Sequence, residues 1–382
     1  MATIKDAQSL LTTLPKLVGS ILRLRGTFTT PIGTPNGIAE LQQVELNGYP
    51  QWVLIRGHDV SDPLFLFLHG GPGESNLWLA HHTMKELERH FVCVNWDQRG
   101  AGKSLLPGPD PSSMTIEQLY EDTVDLIKLL LARFKKEKLL LLGHSWGGLL
   151  ATKVAARHPE LLHAVILMNP TIDNRRGEDI SYRWVLERAR TANDDKAVRV
   201  LEELGSSDTY GKEGRFIERI MVLRYGGLVR SVGPQTMVGL MLEAPEYSIA
   251  ECIRNFRMKS LSFSIPLMAD ELMDVNLVKE VPQLAVPVFL FLGRHDHTAP
   301  SELSEEFCGS LQAPHKVVIW FEESAHSPDL DEPEMFQREV IRIGKAFCRQ
   351  EMLAAAGGSS GPKTSFRSLG VIWQDLPHDK PH

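Results

Sequence analysis

The amino-acid sequence predicts an α/β fold: a mainly parallel sheet covered by helices, with a long helical insertion. Three observations predict it. Apolar runs of strand length, such as Leu64–Leu68 and Leu139–Leu142, alternate with segments of helical periodicity. The runs are solidly apolar and stop at glycine-rich turns, as strands buried on both faces do. Between residues 171 and 275 the strand signal lapses, and helical stretches with paired charges (Glu187-Arg188, Glu202-Glu203) replace it.

In chain order, Ile38–Leu46 and Gln51–Arg56 read as strands flanking a turn at Asn47-Gly48. Leu64–Leu68 is the first buried strand and ends at His69-Gly70-Gly71-Pro72-Gly73. Phe91–Trp96 ends at Asp97-Gln98-Arg99-Gly100. Thr115, with Gln118 three residues later, caps a helix on which Ile116, Leu119, Tyr120, Ile127, Leu130, Leu131 and Phe134 recur at helical spacing. Leu139–Leu142 is a strand, Gly148–Arg157 a helix closed by Pro159, and Ala164–Met168 a strand. After the insertion come strands at Val286–Leu292 and Lys316–Trp320 and a helix from Pro333 to Arg349. The 382 residues therefore divide into an N-terminal arm (1–36), a core in two pieces (37–170 and 276–352), a helical insertion (171–275) and a low-complexity tail (353–382).

Composition narrows the function. Apolar residues at 43% and charged residues at 23% suit a soluble globular chain. The net charge of −7 provides no basic footprint for nucleic acid. No apolar run approaches the ~20 residues of a membrane span. Leu10, Leu11, Leu14, Leu17, Val18, Ile21 and Leu22 are broken by Pro15 and Lys16 and read as an amphipathic arm packed on the domain. The four cysteines show no C-x-x-C spacing, so buried free thiols and a cytoplasmic location are expected. Nothing in the pattern calls for a metal or cofactor.

The chemistry centres on Gly143-His144-Ser145-Trp146-Gly147, a G-x-S-x-G between an apolar strand and a helix. A serine on that turn stands at the carboxyl end of the sheet, where open α/β sheets bind ligands. The competing reading, a turn that merely starts a helix, loses weight because the partners are present. A serine needs a base, and the base needs a carboxylate to set its tautomer. In this architecture they follow in the order Asp or Glu, then His. Asp296, in Gly293-Arg294-His295-Asp296, follows one strand, and His326, in Ser324-Ala325-His326-Ser327-Pro328, follows the next. His295 and His297 beside Asp296 read as surface or structural residues, and Asp329 and Asp331 as a helix-entry loop. His144 points elsewhere on the turn, and Asp97 reads as a turn-forming acid ahead of the serine. The oxyanion donors are the backbone amides of Trp146 and Gly71.

These five motifs, from His69-Gly70-Gly71-Pro72-Gly73 to Ser324-Ala325-His326-Ser327, make residues 37–350 similar to the α/β-hydrolases, and within them to the proline iminopeptidase group of serine peptidases. The resemblance implies the α/β-hydrolase fold, a Ser145–Asp296–His326 triad, Gly71 and Trp146 as oxyanion donors, and a cap formed by residues 171–275. It also implies cap glutamates for the substrate amine. Glu243 and Glu246, in Glu243-Ala244-Pro245-Glu246-Tyr247, are the nearest candidates, with solvated helix-end charges as the competing reading. The expected activity is release of an N-terminal residue, proline above all, from short peptides. An esterase, lactonase or thioesterase of a small metabolite is the alternative, and a non-catalytic binding protein the alternative of another class. Epoxide hydrolase or dehalogenase chemistry would place an Asp at position 145.

Overall fold

The computed structural model describes residues 26–205 and 212–348. Most of the expected N-terminal arm, up to residue 25, and the tail 353–382 lie outside the described residues. The strands are β1 (Ile38–Leu46), β2 (Tyr49–Gly57), β3 (Leu64–Leu68), β4 (Val92–Asp97), β5 (Leu139–His144), β6 (Leu162–Met168), β7 (Val288–Gly293) and β8 (Lys316–Phe321). They form one sheet in the order β1-β2-β4-β3-β5-β6-β7-β8. β2 pairs antiparallel with β1 and with β4, and every other pairing is parallel. Asn47 and Gly48 take φ of 45° and 72°, the left-handed pair that a two-residue hairpin turn needs. The ladder therefore closes at Leu46↔Tyr49, and β2 starts two residues before the expected Gln51.

Alternation explains the apolar runs. In β3 the leucines Leu64, Leu66 and Leu68 face a core with Ile127, Leu130 and Leu149, whereas Phe65 and Phe67 face a second core with Phe289, Phe291 and Phe336. Both faces are covered, so every residue of β3, β5 and β7 is buried. Helix α1 (Ile116–Phe134) and helix α2 (Trp146–Arg157) cover the first face. The hydroxyl of Thr115 accepts the Gln118 N–H at 3.1 Å, as its cap position requires. Only half of the capping box forms, because the Gln118 amide donates instead to the buried Asp122 (3.1 Å).

Between β6 and β7 lie α3 (Asn174–Thr191), α4 (Asp195–Leu204), α5 (Lys212–Arg224), α6 (Pro234–Glu243), α7 (Ile249–Phe256) and α8 (Lys259–Met273). Val185, Ala189, Ala197, Leu201 and Val222 give this insertion a small core of its own. Among the described residues no helix is long and apolar enough to cross a membrane. Cys93, Cys252, Cys308 and Cys348 are buried and free.

Candidate active site

Ser145 stands at the turn from β5 into α2 with φ 53° and ψ −117°. A side-chain-bearing residue rarely holds that backbone unless its surroundings impose it. Here the Ser145 N–H donates to the Met168 carbonyl at 2.9 Å, and the Ser145 carbonyl accepts from Gly148 (2.9 Å) and Thr171 (3.1 Å). The flanking glycines make the turn possible. A Cβ on Gly143 would strike the Gly147 carbonyl, and one on Gly147 would strike that of Leu68. Trp146 opens α2, so its N–H has no carbonyl one turn earlier to bond. Gly71 takes φ 118°, open to glycine alone, in the loop after β3.

Asp296 and His326 come from the loops after β7 and β8, and the structure brings them together. His326 Nδ1 lies 2.8 Å from Asp296 Oδ2, with both side chains almost fully buried. The other oxygen, Oδ1, accepts the backbone N–H groups of Thr298 (2.8 Å) and Ala299 (3.0 Å). His144 links this pair to the serine turn. Its Nε2 lies 2.8 Å from the His326 carbonyl, and the two imidazole centroids are 4.7 Å apart. Burial above all, and then His326, push His144 well below the usual histidine range. It is therefore a neutral ring that donates to the His326 backbone.

Two residues that sequence reasoning did not single out lock these loops. Gln98 donates its side-chain amide to the His69 carbonyl (3.1 Å) and accepts the Trp146 indole N–H (2.9 Å). Its backbone N–H donates to His69 Nε2 (3.0 Å), and burial holds His69 neutral by lowering its pKa to about 4. One side chain thus ties the loop carrying Gly71 to the turn carrying Ser145. Asn169, at the end of β6, accepts the Gly293 N–H (3.0 Å) and donates to the Ala325 carbonyl (3.1 Å), tying β7 to the His326 loop.

The rest of the Asp97-Gln98-Arg99 motif also has long-range partners. Arg99 forms a buried pair with Asp122 (2.7 and 3.0 Å). Asp97 accepts from Ser75 (2.5 Å), Lys103 N–H (2.8 Å) and the Tyr247 hydroxyl. Burial pushes its carboxyl up to about 6. Tyr247 belongs to the insertion, so Asp97 fastens that segment to the core. Glu246 acts beside it: the carboxylate is fully buried, with Oε1 2.6 Å from His81 Nε2. Glu243 is exposed at the end of α6. Among the described residues no hydrogen bond joins either glutamate to the Ser145, Asp296 and His326 group. His297 stacks on Trp184 of α3, with ring centroids 3.9 Å apart.

Comparison with known proteins identifies the family of the fold. A model of the alpha/beta hydrolase fold matches residues 63–333. The chain is 33% identical to the probable aminopeptidase YbaC of Bacillus subtilis (strain 168), over 80% of this chain and 96% of the relative. It is 23% identical to a proline iminopeptidase of Heyndrickxia coagulans, over 71% of this chain and 86% of the relative. The crystal structure of the proline iminopeptidase of Mycobacterium smegmatis superimposes with a TM-score of 0.58 at 19% identity, covering 83% of this chain and all (100%) of that one. The chain belongs to the α/β-hydrolase fold family, in the proline iminopeptidase-like branch.

Proposed function

We propose that this hydrolase cleaves short peptides or aminoacyl compounds through an acyl-enzyme on Ser145, releasing an N-terminal residue. The observation that carries the reading is the buried Asp296–His326 pair beside a strained serine turn. Asp296 takes the Nδ1–H of His326, leaving Nε2 as the base that removes the Ser145 proton. Ser145 attacks the carbonyl, and the amides of Trp146 and Gly71 receive the oxyanion. His326 then returns the proton to the leaving amine, and water hydrolyses the ester by the same route. His144 does not compete as the base, because its Nε2–H is committed to the His326 carbonyl. The helical insertion serves as the cap that bounds the acyl pocket; the family resemblance points to its glutamates Glu243 and Glu246 for the substrate amine, but Glu243 is exposed and Glu246 is paired with His81. The likeness to enzymes named as aminopeptidases supports the peptidase reading over an esterase.

A panel of aminoacyl arylamides, aryl esters and thioesters tests it. Turnover of prolyl or other aminoacyl amides is expected. Turnover of esters or thioesters alone would reject the peptidase reading while leaving the nucleophile in place.

Gln98 offers a second test. Gln98→Leu keeps the bulk but leaves the Trp146 indole and the His69 carbonyl without their buried partner. The oxyanion donors then lose their preset spacing, and kcat is expected to fall roughly 10- to 100-fold with KM changed far less. Stability falls by about 1–3 kcal/mol for the unsatisfied groups. Steady-state kinetics at a temperature where urea titration shows the variant fully folded separates the two effects.

A further inference from the structure

Near Ser145 and His326 stand two carboxylates that, among the described residues, serve neither the triad nor an ion pair. Glu74 directly follows the glycine loop after β3. A Cβ placed on Gly70 would lie 2.7 Å from Glu74 Oε2 and 3.3 Å from Ser145 Cβ, so no more than those two steps separate carboxylate and nucleophile. The Glu74 side chain is exposed to solvent. Its electrostatic neighbours are His326 and Arg219. The Arg219 guanidinium donates to the Thr298 carbonyl at 3.0 Å, and among the described residues Glu74 has no ion pair.

The second carboxylate is Asp329, in the short turn Pro328–Asp331 just after His326. It is 1% exposed, and neither oxygen has a hydrogen-bond partner from another residue among those described. Its neighbour Asp331 is fully employed, accepting from Arg230, Ser231 and Ala325. A buried carboxylate without a partner is costly, and the fold alone gives no return for it. Asp329 faces Glu74 and His326 electrostatically, and burial first, then Glu74, push it up to about 7. Around His326 two carboxylates thus stand against one anchored guanidinium.

The reach suits one ligand chemistry. In an aminoacyl substrate the α-nitrogen lies two bonds, about 2.5 Å, from the carbonyl carbon under attack. A charge-assisted hydrogen bond to a carboxylate adds about 2.8 Å. A carboxylate able to hold that nitrogen must therefore stand as close to Ser145 as Glu74 does. We propose that Glu74, backed by Asp329, is the specificity-determining carboxylate that holds the free α-ammonium group of the substrate beside Ser145. This inference rests on the acyl-transfer reading of Ser145. It assigns the amine to the core rather than to Glu243 or to the His81-paired Glu246.

The test compares L-prolyl p-nitroanilide with cyclopentanecarbonyl p-nitroanilide, which lacks only the amine. The readout is the ratio of their kcat/KM values for the full chain, with fluorophosphonate labelling of Ser145 followed in parallel. The wild-type ratio favours the prolyl substrate. Glu74→Gln is expected to lower it at least about 10-fold, the scale of one hydrogen bond to a charged group. Glu74→Asp, which keeps the charge, recovers part of it, and Asp329→Asn lowers it by a smaller factor. A wild-type enzyme labelled at Ser145 with no preference between the substrates overturns the subsite alone. So does a Glu74→Gln variant whose two activities fall together. Failure of the wild type to label overturns the acyl-transfer reading and the subsite with it.

Discussion

Ser145→Ala should lower kcat by on the order of 10⁶ and abolish labelling by a fluorophosphonate probe. The magnitude follows from the role. A nucleophile and its base act as a unit, so removing either collapses the covalent route and leaves what the oxyanion donors and binding supply, about 10³–10⁴ over water. The structure makes this substitution an unusually clean one. The φ of 53° at Ser145 is imposed by its backbone bonds to Met168, Gly148 and Thr171 and by the glycines on either side. No side-chain hydrogen bond of Ser145 helps to hold it among the described residues. Alanine meets the same backbone constraint with a smaller side chain, so the melting temperature should stay close to that of the wild type. Stoichiometric labelling of the variant, or hydrolysis within 100-fold of the wild type, would remove Ser145 from the mechanism. Loss of activity with a lowered melting temperature would instead point to a damaged turn, which is why both are measured on one preparation.

What could be read from the sequence, and what could not, divides by the range of the forces involved. The Leu-Phe alternation of β3 was legible because period-2 burial is local and both faces are covered. The Thr115 cap was legible for the same reason, since donor and acceptor lie three residues apart. The strained turn at Ser145 announced itself through its flanking glycines, which the close approach of α2 to β3 requires. Asp296 and His326 meet because each follows an apolar strand and the sheet order sets those two strands side by side. Gln98 could not be placed. Its role depends on Trp146, 48 residues away, and a glutamine in a turn has no local pattern that reveals a distant partner. Asn169 bridges to Ala325 across 156 residues, and Glu246 meets His81 across 165. Glu74 was hidden differently. It stands in plain view after a recognised motif, but nothing local says whether a glutamate there turns back over Gly70 towards the serine turn or away from it.

Asp296→Asn should lower kcat by about 10⁴ while leaving the fold intact, and the reason lies in the two oxygens of this carboxylate. Oδ1 accepts two backbone N–H groups, from Thr298 and Ala299, and Oδ2 accepts from His326 Nδ1. An asparagine has one oxygen and one NH₂ to offer these three donors. If its NH₂ faced Thr298 and Ala299, donor would meet donor twice at about 2.8–3.0 Å. The side chain therefore keeps its oxygen on the backbone amides and turns its NH₂ towards His326. Nδ1 must then become the acceptor, which moves the ring proton to Nε2. A ring protonated at Nε2 cannot take the Ser145 proton, so the variant carries the histidine in place but in the wrong tautomer. Asp296→Ala differs in kind, because it also leaves two backbone N–H groups without their acceptor and should cost stability. The discriminating measurement is nitrogen-15 NMR of His326 in Asp296→Asn, read beside kcat. The expected result is a proton on Nε2, a rate near the residual level and an unchanged melting temperature. An Nδ1–H signal with a rate within tenfold of the wild type would mean that another group orients His326, and Asp296 would lose its place in the triad.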